Sequence, residues 1–214
     1  MAYDLQEQEQ IDELKAFWNR YGTAILAAVT LALFIFAGVR GWGWYQASQA
    51  TAAAGLYSEL SAAVAAKNIE QVKSRSGDLF NRYGGTVYGQ MAGLMAARAH
   101  LDASDPAGAK AALQWVADNA QDAEFKQIAR LRLAGLLLDE NAHDAALKAL
   151  DAAAAAGKPG DEMQAAIADR RADVLVAQGH ADAARAEYDK ALGLLPAGSA
   201  LRQLVQLKRD ALGQ

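Results

Sequence analysis

The chain contains no cysteine, which excludes disulfides, thiol nucleophiles and cysteine-ligated zinc. Only 3 prolines occur, and β-branched residues are few, so nothing favours sheet and the fold class expected is all-α. Basic charge is not in surplus either. Lys and Arg number 21 against 25 Asp and Glu, a formal net charge of -4. With an isoelectric point near 5.4, the chain projects no positive field, and nucleic acid is not an expected partner. There is no phosphate-binding loop, and the few serines lack a nucleophile elbow. His100, His143 and His180 find no ligand or catalytic partner at the right spacing, and are expected to be exposed turn residues. No metal, no cofactor and no catalytic residue are therefore expected, and the chain is not read as an enzyme.

What is present begins with Tyr21 to Val39, an uncharged run rich in Leu, Ile, Val, Phe and Ala. As helix it is roughly 28 Å long, close to the ~30 Å hydrocarbon core of a bilayer. Phe17, Trp18 and Tyr21 precede it and Trp42, Trp44 and Tyr45 follow, placing aromatics where both headgroup layers select them. A spanning helix with its aromatic flank is thus expected over 21–45, in contact with lipid. The run exceeds a signal-peptide core, and the tail before it is acidic rather than basic, so it is expected to remain as an anchor. Over 1–20, Ile11, Leu14, Phe17, Trp18 and Tyr21 recur at helical spacing and predict an amphipathic interfacial segment. Residues 1–8 are expected to be a solvated tail. Lys15 and Arg20 before the span, against Arg40 after it, favour an inside N-terminus. In a bacterium the large domain would then face the periplasm. Within the run Ala24, Ala28 and Ala32 form a ridge of small residues, either a helix-packing face or a product of high Ala content.

The remainder, 46–214, is Ala-rich and carries an internal repeat. Gln49–Ala66 and Ile69–Tyr83 read as helices, broken at Lys67-Asn68 and closed by Gly84-Gly85. Three segments then superimpose, from Met95, Arg132 and Arg171. Each holds two Ala at one fixed spacing across a turn: Ala97 and Ala109, Ala134 and Ala146, Ala172 and Ala184. Only small side chains permit two helices to approach at such a crossing. Two turns of helix further on stand Val116, Ala153 and Ala191, while Asn141 and Gly179 fit a left-handed turn. Asp144 and Asp182 open second helices, where they face the positive dipole end. Tyr188 fills an aromatic position before Pro196, which stops the last copy, and 199–212 reads as a capping helix.

This pattern resembles the tetratricopeptide repeat and implies an α-solenoid. The steps from Ala97 to Ala134 and from Ala134 to Ala172 slightly exceed the usual period of about 34, with Gly157-Lys158-Pro159-Gly160 as a visible insertion. The large aromatic early in the standard repeat is replaced by Gly93, Arg130 and Ala168. In such a fold the first helix of each pair lines a groove. The register offers Met91, Leu94, Arg98, Leu101 and Asp102 in the first copy, Ile128, Leu131, Leu138 and Asp139 in the second, and Asp169, Asp173 and Val176 in the third. That mixture suits extended or unfolded polypeptide; the apolar members serve equally well as packing between layers.

The acidic opening that ends in EQEQIDELKAFWNRYG, the span directly after it, the GWGWYQASQ stretch and the repeats together resemble the ancillary subunits of the Sec translocon found in proteobacteria. The resemblance covers essentially the whole chain. It implies an inner-membrane protein with a periplasmic repeat domain and no catalytic residues. Its partners would be the SecYEG channel, a membrane-anchored periplasmic prolyl-isomerase-like chaperone, and unfolded exported polypeptides. The alternative is a membrane-anchored scaffold that serves another envelope assembly, such as cytochrome maturation or division machinery.

Overall fold

The computed structural model describes residues 2–213, with side chains from residue 10 onward. Two compact units divide after Gln49, slightly later than the boundary expected from sequence. Helix α1 runs unbroken over Ala2–Ala65. Two expectations are corrected by it. The opening is helical from Ala2 rather than a loose tail, because extending an established helix costs far less than nucleating one. The span and the first domain helix are also one element, since no proline falls within it and Gly41 and Gly43 each cost only about 1 kcal/mol against Ala.

In the first unit the apolar side chains point outward. Phe34 is 74% exposed and Trp44 76%, with Leu31, Leu33 and Phe36 similarly open. Among the described residues this is the one helix long and apolar enough to cross a membrane. Phe17 packs on Tyr21 at 5.1 Å between ring centres, and Trp42 on Tyr45 at 6.0 Å.

The second unit is built of helices: the end of α1, then α2 (Ile69–Tyr83), α3 (Val87–Asp102), α4 (Pro106–Asn119), α5 (Ala123–Asp139), α6 (His143–Ala155), α7 (Asp161–Ala177), α8 (Ala181–Leu194) and α9 (Ala200–Ala211). Within it α3 pairs with α4, α5 with α6 and α7 with α8, and each hairpin packs on the next. All six alanines of the repeat pairs are buried, as are Val116, Ala153 and Ala191, so the register read from sequence is the packing register. A tight crossing lies between α3 and α4, where a Cβ on Gly93 would stand 2.2 Å from a methyl of Val116.

The turns show a fourth copy that the alanine pattern does not reveal. Ser104, Asn141 and Gly179 all have positive φ, at 58°, 60° and 80°, and Lys67 joins them at 53°. In each turn the residue after the left-handed one donates its N–H to a carbonyl in the preceding helix: Asn68 to Ala63, Asp105 to His100, Ala142 to Leu137, His180 to Leu175. This is the Schellman closure of a helix end. Counting from Lys67 as from the others places Leu60 and Val72 at the pair positions, and Leu79 at the position of Val116, all three buried. The array therefore holds four hairpins, closed by α9.

Arg130 supplies a polar tie where the standard repeat has an aromatic. Its guanidinium donates to the carbonyls of Ala117 (3.1 Å) and Ala152 (2.8 Å). These lie in the last turns of α4 and α6, where free carbonyls and the helix dipole favour a cation.

Candidate groove of the repeat domain

The first helices α3, α5 and α7 flank a groove of about 640 Å³. Of the residues selected from sequence, Arg98 and Leu101 from α3 and Asp139 from α5 line it. Leu101 is 40% exposed, and Arg98 pairs with Asp102 at 2.9 Å. The lining also includes Arg132, Gly135 and Leu136 from α5 and Arg170 from α7, which sequence reasoning did not select. A signal existed: Arg132 and Arg170 each stand two positions before the buried Ala of their repeat, Ala134 and Ala172.

The other candidates lie elsewhere. Leu94 is half-buried against the core formed by the first two hairpins, and Leu131 and Leu138 against the α5–α7 core. Met91 and Ile128 are half-buried, and Val176 is exposed.

Asp169 and Asp173 are engaged from within the chain. Lys208 on α9 reaches both, at 2.8 and 3.0 Å from the two oxygens of Asp169 and 3.0 Å from Asp173. Tyr188 donates its hydroxyl to the second oxygen of Asp173 at 2.7 Å. Burial raises the Asp169 carboxyl above its ordinary value, and the Lys208 ammonium offsets part of that. The phenol of Tyr188 is also pushed up, first by burial and then by the hydrogen bond and negative charge of Asp173. One ammonium thus fastens the capping helix to two carboxylates on α7.

His100 corrects the expectation of exposed histidines: it is 6% exposed, with Nδ1 2.8 Å from a carboxyl oxygen of Asp105. The same Asp105 caps α4 by accepting the N–H of Gly108 at 2.9 Å. That hydrogen bond and His100 both hold the Asp105 carboxyl below the usual carboxylate range. His180 is exposed and His143 half-buried. Among the described residues no three His, Asp or Glu side chains gather to hold a metal ion. The arrangement offers surface for recognition, with charge on an apolar floor.

Stacked hairpins with a shared turn and a lining of first helices define an α-solenoid of the tetratricopeptide class. The model of the tetratricopeptide repeat-like domain family matches residues 15–214, and the chain belongs to that family. Along its full length it is similar to the ancillary SecYEG translocon subunit of Neisseria gonorrhoeae, 30% identical over 221 residues that cover 99% of this chain and 100% of the relative. The proteins of the same name from Haemophilus influenzae (29% identical, 99% and 100% covered) and Escherichia coli K12 (27% identical, 96% of each covered) are similar as well. No solved structure matches the chain.

Proposed function

We propose that the chain is a non-catalytic, single-span accessory subunit of the SecYEG translocon in the inner membrane. The N-terminus lies in the cytoplasm and the repeat domain in the periplasm. The observation that carries this is the end-to-end similarity to three proteins named for that role, span and repeats together. The exposed apolar surface of α1 supports the membrane anchor, since water would not tolerate it. In this reading the groove of the repeat domain receives exported polypeptide, or the membrane-anchored prolyl-isomerase-like chaperone that handles it. Binding there is shallow and reversible, as transient handover requires.

Co-purification from membranes in mild detergent tests the assignment. The tagged chain should bring down channel subunits, and should still do so when residues 21–45 are replaced by an unrelated spanning helix if the repeat domain makes the contact. Retrieval of a different envelope complex, with no channel subunits, would favour a general scaffold and overturn the translocon role.

A further inference from the structure

The groove has a sign, and it is opposite to that of the whole chain. Arg98, Arg132 and Arg170 line it against the single carboxylate of Asp139, while the chain carries a formal charge of -4. The two arginines on α5 and α7 are the ones in register. Arg132 is exposed and makes no ion pair or hydrogen bond among the described residues. Arg170 comes no closer than 3.8 Å to a carboxylate, that of Asp173, and its Nε is buried with no partner among the described residues. Exposed cations on a helical array normally find an acid three or four positions away, as Arg98 does. Here two guanidiniums on neighbouring helices are left with donors to spare.

We propose that this groove takes an extended acidic polypeptide segment, with carboxylates at every third position held by Arg132 and Arg170. The proposal rests on the reading that the groove receives polypeptide, and adds the chemistry of what is received. Packed helices lie about 8–10 Å apart, and a chain in the extended polyproline II form returns to the same face every three residues, after about 9 Å, so equivalent positions on α5 and α7 match side chains three positions apart. Guanidinium groups suit carboxylates because two parallel N–H donors meet two oxygens. Leu101 and Leu136 provide the floor for an apolar residue between the two acids. Gly135 keeps the floor open beside Arg170, whose guanidinium lies 3.6 Å from where a Cβ would be.

The test uses the full chain in detergent micelles and short, fluorescently labelled peptides with identical apolar content. They carry two Glu, two Gln or two Lys spaced three apart, and binding is read by anisotropy. The Glu peptide should bind at least about tenfold more tightly than the Lys peptide, and its affinity should fall as salt rises from about 0.05 to 0.5 M. Arg132→Glu, on an exposed side chain with no partner to lose, should weaken the Glu peptide about tenfold and strengthen the Lys peptide. Arg170→Gln should weaken the Glu peptide too, with helical circular dichroism unchanged in both variants. If all three peptides bind equally and compete with one another, the acidic preference is overturned and the polypeptide-binding reading stands. If none of the three binds, both are overturned.

Discussion

A Cβ on Gly108 would stand 2.3 Å from Nδ1 of His100, so the buried histidine and the glycine one helix later define each other's space. The register places His100 where the next two copies have Leu137 and Leu175, and the imidazole fits only because α4 opens without a side chain at position 108. Gly108→Ala should therefore destabilise the domain by about 1–3 kcal/mol through overpacking. Gly77→Ala, in mid-helix with open space around it, should be neutral or stabilise by up to about 1 kcal/mol. Thermal melts of both variants decide; equal losses would mean that His100 can move aside.

The repeat register predicts graded effects along the array. Ala146→Leu and Ala184→Leu, both at fully buried crossings, should each cost about 1–3 kcal/mol, whereas exposed Ala154 should accept Leu. Leu60→Ala should cost about 2–5 kcal/mol if the first hairpin folds with the rest. Denaturation followed by circular dichroism measures all four. A negligible loss at Leu60 would detach that hairpin from the cooperative unit.

Lys208 fastens α9, and its loss leaves two carboxylates facing each other on α7. Lys208→Met should cost about 1–3 kcal/mol, less than for a fully buried pair because the ammonium is 27% exposed. Adding Asp169→Asn to that variant should restore part of the loss. Proteolysis near the C-terminus offers a second readout, since an unfastened α9 should be cut first.

Alkali should act through Tyr188. Its phenol holds its proton more firmly folded than unfolded, so the associated stability is complete below about pH 10 and is lost as pH rises beyond that. Tyr188→Phe should flatten this alkaline decline. Asp105 works in the opposite sense: its carboxyl is held low, so its contribution is present above about pH 4 and lost as acid protonates it. Asp105→Asn should remove that acid slope while keeping an N-cap. Melting temperatures across pH, for both variants and the parent, check the two signs.

Orientation can be read directly because the chain has no cysteine of its own. Single cysteines at Ala2 and Gln214, labelled on intact cells with an impermeant maleimide, should react at 214 and not at 2. The reverse pattern would overturn both the orientation and the periplasmic role.

Three of the four hairpins are legible in sequence because their crossings use paired alanines, whose spacing survives in an Ala-rich chain. The first reads as two helices with a break at Lys67-Asn68 but not as a copy of the repeat, because Leu60 and Val72 fill the paired positions with larger side chains, and only the backbone of Lys67 shows the common turn. The unbroken course of α1 is hidden by Gly41 and Gly43, which look like punctuation but cost too little to end a helix of that length. Within the groove, Arg98, Leu101 and Asp139 are legible as charge and apolar surface on a first helix. Arg132 and Arg170 are not, because an isolated arginine on a helix face looks like solvation until the acids around it are placed. Asp169 and Asp173 look free in sequence because Lys208, far along the chain, returns to them only when α9 folds back.

The pairing of hairpins has a kinetic side. In the second unit the helices that pack extensively are neighbours or next neighbours along the chain, α2 with α3 through α8 with α9. Such local contacts need little loop closure, and chains dominated by them fold fast, in microseconds to milliseconds for helical domains. Each hairpin can close once its own two helices are free, without waiting for the C-terminus. A segment delivered end-first, through a ribosome or a membrane pore, would then fold in the order it emerges, with α9 locking the array last.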